Sequence, residues 1–107
     1  MSATGVLVVT TSLDDGAAAA ELAGAVVEQR LAACAQVGGP VRSTYRWQGE
    51  VESADEWIVT MKTSSTALAR LLDRVRSIHS YETPELVVTE VVGGDPDYLA
   101  WVLDETS

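Results

Sequence analysis

Apolar residues recur along this chain with two different periods, and the changes of period mark out its elements. Residues 5–12 (GVLVVTTS) form a β-branched, nearly unbroken apolar run that reads as a strand buried on both faces. Beyond LDDG, Ala19, Leu22, Ala23, Val26 and Val27 fall at helical spacing. Asp14 and Asp15 stand at the helix end where carboxylates suit the dipole, and the pattern predicts a helix that ends near Ala33. Residues 34–47 return to an extended pattern interrupted by Gly38, Gly39 and Pro40, which should bulge the strand and keep that part at a sheet edge. Residues 48–50 (QGE) read as a hairpin turn, and residues 51–62, centred on WIVTMK, as its returning strand. The TSST stretch from Thr63 offers capping side chains, after which Leu68, Leu71, Leu72, Val75 and Ile78 mark a second amphipathic helix that stops by His79. Pro84 pushes Thr83 toward extended geometry, and residues 85–92 (ELVVTEVV) read as the last strand. Asp95 as N-cap and Pro96 at the first helical position then open a short closing helix.

The order β, α, β, β, α, β with an added C-terminal helix is an α+β pattern, the split βαβ of ferredoxin-like sandwiches, in which two helices cover one face of a four-stranded antiparallel sheet. The other face is left uncovered. With 107 residues the chain forms one domain, residues 1–107, and a bare sheet face on so small a domain predicts self-association. The two hairpin strands are also longer than a small sheet needs, so Tyr45 and Trp47 close a strand that should leave its own subunit to find pairing.

Charge narrows the function classes. Sixteen acidic against seven basic residues give a formal charge of -9, which disfavours nucleic acid and anionic membrane surfaces as partners. No apolar run approaches membrane-spanning length, and Met1 is not followed by an export leader, so the expected location is cytoplasmic. The one cysteine, Cys34, rules out an internal disulfide and any CxxC grip on a metal, which removes a metallochaperone of this fold from consideration.

Candidate chemistry gathers on few residues. His79, the single histidine, ends a helix and is followed by Glu82 and Glu85; it reads as a metal ligand or acid–base group, or as a helix C-cap, and spacing alone ranks the cap ahead. Tyr81, Glu82 and Pro84 have structural roles open to them at the same junction. Cys34 is a buried small hydrophobe or, if the two helix ends share one edge of the sheet, a partner of His79 in a copper or zinc site. Lys62, the only lysine, is a solvated strand end or a cation for an anionic ligand or a neighbour's glutamate. Trp47 and Trp57 flank the hairpin, where tryptophans usually pack core or interface. A small hydrolase acting on a phosphate or acyl-phosphate substrate is the competing class for such a fold, but the loop after the first strand, TSLDDG, carries two carboxylates that would repel the anion.

Five segments in order, RLAACAQV, STYRWQGEVE, MKT, IHSYETPELV and DYLAWV, resemble the CutA family of divalent-cation tolerance proteins over nearly the whole chain after Gly5. The resemblance implies a non-enzymatic homotrimer similar to the PII signalling proteins, with long hairpin strands paired between subunits and a role in metal-ion response or signalling. It also implies a ligand cleft between subunits lined by Cys34, Trp47, Lys62, His79, Tyr81 and Glu82, with no obligatory cofactor. A divalent metal, copper foremost, would be held there by His79, Cys34 and Glu82. The chain departs from the family pattern at Ser80, where proline is common, and at Gln36, where asparagine is common.

Overall fold

The computed structural model describes residues 3–107. The elements are β1 (Val6–Leu13), α1 (Gly16–Glu28), β2 (Cys34–Trp47), β3 (Glu50–Ser64), α2 (Leu68–Ile78), β4 (Val87–Glu90) and α3 (Pro96–Glu105). The four strands form one antiparallel sheet in the order β2-β3-β1-β4, as the split βαβ pattern requires.

Alternation along the strands assigns the two faces. Val9 and Leu13 of β1 and Val59 and Met61 of β3 point to one side, where Ala19, Leu22 and Val26 of α1 and Leu71 and Val75 of α2 close the main core over them. Thr63, buried on the same side, donates its hydroxyl to the Leu31 carbonyl at 2.7 Å and so ties β3 to the segment after α1. Val8, Thr10, Ile58, Thr60 and Lys62 occupy the opposite face, which no helix covers except at one end. There α3 closes a small second cluster of Val6, Ala33 and Val102. Asp95 caps α3 by accepting from the Tyr98 amide at 3.0 Å, and Pro96 follows, as the sequence predicts.

The element boundaries that differ have local causes. Helix α1 ends at Glu28 rather than near Ala33, because Arg30 adopts a left-handed φ of 60° and the amides of Leu31 and Ala32 turn back to the Val26 carbonyl. Leu31, Ala32 and Ala33 are buried, but as a connector. Helix α2 starts at Leu68 on an N-cap, Ala67, that offers no side-chain oxygen; Ser64 of the TSST stretch instead accepts from the Ala67 amide and closes the preceding turn. Strand β4 is four residues long and not eight, since before it the Glu85 carbonyl is taken by the Thr11 hydroxyl at 2.6 Å instead of by a ladder partner.

Strands β2 and β3 run on well past the sheet. Strand β1 pairs with β3 only from Trp57 to Ser64, whereas β2 and β3 stay paired from Val41↔Glu56 out to Trp47↔Glu50. The result is a two-stranded arm that projects roughly 20 Å beyond the body at the usual strand rise, consistent with overall dimensions of 44 × 25 × 22 Å. Its root is the expected bulge, a register shift between Gly38 and Val41. Gly39 is required there. Its φ is +146°, and a Cβ would lie 2.9 Å from the Glu56 carbonyl and 3.0 Å from Cδ1 of Trp57.

Candidate functional site

A cavity of about 630 Å³ opens where the arm leaves the body. One wall is the arm, with Ser43, Tyr45 and Trp47 from β2 and Glu52 and Glu56 from β3. Residues two apart on a strand share a face, and the pairing sets Glu52 opposite Tyr45, so aromatic and acidic groups alternate across this wall. The other wall is the segment between α2 and β4, which contributes Tyr81, Glu82, Thr83 and Glu85, while Ser12 at the end of β1 forms part of the floor.

His79 fixes that second wall. It is the C-cap of α2, and its ring is buried. Nδ1 accepts from the Tyr81 amide at 3.0 Å and Nε2 donates to the Ser12 carbonyl at 2.8 Å, so both nitrogens are engaged and the tautomer follows from the partners. The His79 and Tyr81 rings also pack against each other, 4.8 Å between centroids. Tyr81 is thereby held across the cavity, where its hydroxyl donates to Oε2 of Glu56 at 3.1 Å. Burial, followed by the hydrogen bond to Glu56 and the charge of that carboxylate, pushes the Tyr81 phenol well above the ordinary tyrosine range.

Four of the six residues expected in the cleft are therefore neighbours: Trp47, Tyr81 and Glu82 line the cavity, and His79 supports it from behind. Cys34 and Lys62 lie elsewhere. They pair with each other across β2 and β3, in the row of Val8, whereas Ser12 is four residues further along β1, about 13 Å away at the usual rise. Lys62 Nζ donates to Oε1 of Gln36 at 3.1 Å, and Cys34 Sγ lies 3.6 Å from the Tyr98 hydroxyl. That contact first, then burial, raises the Tyr98 phenol.

The expectation that Cys34 and His79 meet at one sheet edge is thus corrected for a single protomer, because the strands carry them to opposite ends. A metal site of His79, Cys34 and Glu82 is not formed within one chain: the imidazole nitrogens are both bonded, and among the described residues no three His, Cys, Asp or Glu side chains converge. Tyr45, Glu52, Glu56 and Glu85 enter the site without having been singled out as site residues. The signal for the first three was the alternation of Tyr45-Trp47 with Glu52-Ala54-Glu56 about the turn at Gln48 and Gly49.

Residues 7–105 match the family described as CutA1 divalent ion tolerance protein. Among relatives, the divalent-cation tolerance protein CutA of Thermus thermophilus is 40% identical over 85 residues, 79% of this chain and 82% of that protein. Protein CutA of Mus musculus is 43% identical over 84 residues, 78% of this chain but 48% of the mouse protein, so the chain spans about half its length. The solved structure of the Thermus thermophilus protein Cut A1 superposes with a TM-score of 0.92 at 36% identity, covering 95% of this chain and 99% of that one. Other relatives carry compartments in their names, one chloroplastic in Arabidopsis thaliana and one periplasmic in Archaeoglobus fulgidus. None of these names states an enzymatic activity. On a family match over nearly its whole length, joined to a fold that superposes on that family's structures, the chain belongs to the CutA1 divalent ion tolerance proteins.

Proposed function

We propose that this protein is a non-enzymatic, cytoplasmic homotrimer, PII-like in design, that responds to divalent cations by binding a small ligand or a divalent metal at clefts between its subunits. The observation that carries this reading is the 630 Å³ cavity between the arm and the α2–β4 segment, open on its own protomer and lined by groups that suit recognition. The Tyr81 hydroxyl rests on the Glu56 carboxylate, but its phenol is raised rather than lowered, the reverse of an activated nucleophile, and the single histidine spends both nitrogens on the backbone. Support for the trimer comes from the projecting arm, whose strands have no third partner beyond Trp57, and from the bare face of Val8, Thr10, Ile58 and Thr60. In a three-fold ring the contacts are heterologous, so a patch of one protomer meets a different patch of the next, and the proposed ring sets the two ends of the sheet face against each other. Such a ring would bring the Cys34 and Lys62 of one subunit toward the Trp47, Tyr81 and Glu82 of another, reuniting the six residues across the interface. No helix among the described residues is long and apolar enough to cross a membrane.

Calorimetric titration of the intact protein with copper, the ion favoured by the usual stability order, tests the metal half of this reading against zinc and magnesium. Saturable copper binding that weakens in Cys34→Ser and Glu82→Gln is the expected result. Binding that is unaffected by either change would remove the metal from the cleft.

A further inference from the structure

The cavity holds an imbalance of charge that its own chain does not correct. Glu52, Glu56, Glu82 and Glu85 all line it, and no lysine or arginine does. Among the described residues none of the four forms an ion pair; the nearby Arg42 is spent on Asp55 at 3.2 Å, and Arg46 donates to the Gly49 carbonyl. The chain's one lysine, brought in from a neighbouring protomer, would answer one carboxylate of the four.

The four carboxylates of one protomer do not by themselves make a site for a bare metal ion, whose place in the proposed trimer depends on Cys34 of a neighbouring subunit. Ions of that kind need several oxygen or nitrogen ligands within about 2.0–2.6 Å, and the acidic groups here surround the space without converging. The volume, about 630 Å³, is that of a small-molecule site, many times the space of a single ion or of one water at about 30 Å³. Three aromatic rings, Tyr45, Trp47 and Tyr81, line the same cavity. Aromatic faces attract positive charge, most strongly when it is carried by an ammonium or guanidinium that is weakly hydrated. Tyr81 is held in place by His79, and Glu56 by Tyr81, so part of the wall is organised before any ligand arrives.

We propose that the ligand of this cleft is a small organic cation, an ammonium or guanidinium compound whose charged groups reach separate glutamates while its body lies against Tyr45, Trp47 and Tyr81. The proposal rests on the reading of the cavity as a ligand site. Spermidine, agmatine and tetramethylammonium, with 1,4-butanediol as a neutral control, are to be titrated into the intact protein at about 0.15 M salt, following heat and tryptophan fluorescence. At least one of the amines binds saturably and the diol does not. Glu52→Gln combined with Glu56→Gln weakens amine binding at least ten-fold, while Glu21→Gln combined with Glu28→Gln, which removes the same charge from exposed positions on α1, leaves it within two-fold. Trp47→Phe abolishes most of the fluorescence change, since Trp47 lines the cavity and neither Trp57, which packs against Gly16 and Gly39, nor Trp101 does.

Equal weakening by the two double variants means general attraction to an acidic surface and overturns the proposal. Failure of every amine to bind also overturns it, including the case in which a neighbour's side chain already fills the cleft. If the amines fail and copper titrates the cleft residues, the organic cation falls while the ligand-site reading stands. If neither kind of probe binds, both fall.

Discussion

His79 joins three parts of the chain with one ring, the end of β1, the end of α2 and the segment that carries Tyr81. Removing it strands two backbone groups, the carbonyl of buried Ser12 and the amide of Tyr81. An unsatisfied buried polar group costs about 1–3 kcal/mol, so His79→Ala should lose roughly 2 kcal/mol or more in urea denaturation at fixed protein concentration. Tyr81 adds a pH dependence. Its phenol is raised in the folded state, so between the ordinary tyrosine pKa of about 10 and the folded value the unfolded chain binds fewer protons than the native one. The stabilisation is complete below about pH 10 and is lost as pH rises further; melts from about pH 8 to 11 should show the decline, and Tyr81→Phe should flatten it. Sequence spacing gave His79 two readings, cap and site. His79 occupies the C-cap position of α2, and its two ring bonds set the wall of the candidate site, a link that spacing could not reveal because Ser12 lies 67 positions away.

The arm is the element on which the cleft depends, and its root is held by a glycine. Gly39→Ala would press a Cβ against the Glu56 carbonyl and Trp57 in a φ region that costs a non-glycine residue about 1–3 kcal/mol. Destabilisation of that order by thermal melting, together with loss of ligand response if the arm swings, is the expected outcome; a neutral substitution would mean the bulge is not tightly held. A smaller effect, about 1–2 kcal/mol, is expected of Thr63→Val, which leaves the buried Leu31 carbonyl without its donor. The sequence was most readable where side-chain chemistry marks a boundary. The β2 limits, the Gly38–Pro40 bulge and the Asp95-Pro96 start of α3 all carry such marks. The end of α1 carries none, because an arginine rather than a glycine takes the left-handed position, and a shortened β4 depends on a threonine 74 residues away claiming a carbonyl.

At the scale of the whole molecule, the protomer leaves several large apolar side chains in solvent. The arm exposes Tyr45 at 40% and Trp47 at 51%, and Val87 and Val88 stand exposed on the edge strand. Hairpins without a third strand or a packed face are marginal in water, and in the proposed trimer a neighbour would cover the arm. Trp47→Ala should loosen the assembly; truncation of a large aromatic in a packed site costs about 3–5 kcal/mol, and the variant should dissociate at concentrations where the parent does not. The overlong hairpin strands and the bare sheet face that led the sequence to predict self-association are present, while the split of the six expected site residues between two ends of the sheet was not legible, since it depends on register rather than on composition. Light scattering of the intact protein at low micromolar concentration is the direct test of the shared-cleft account. It predicts a mass of three times 11.4 kDa, about 34 kDa, unchanged on dilution; a stable species of 11.4 kDa, with its aromatic arm in solvent, would contradict it.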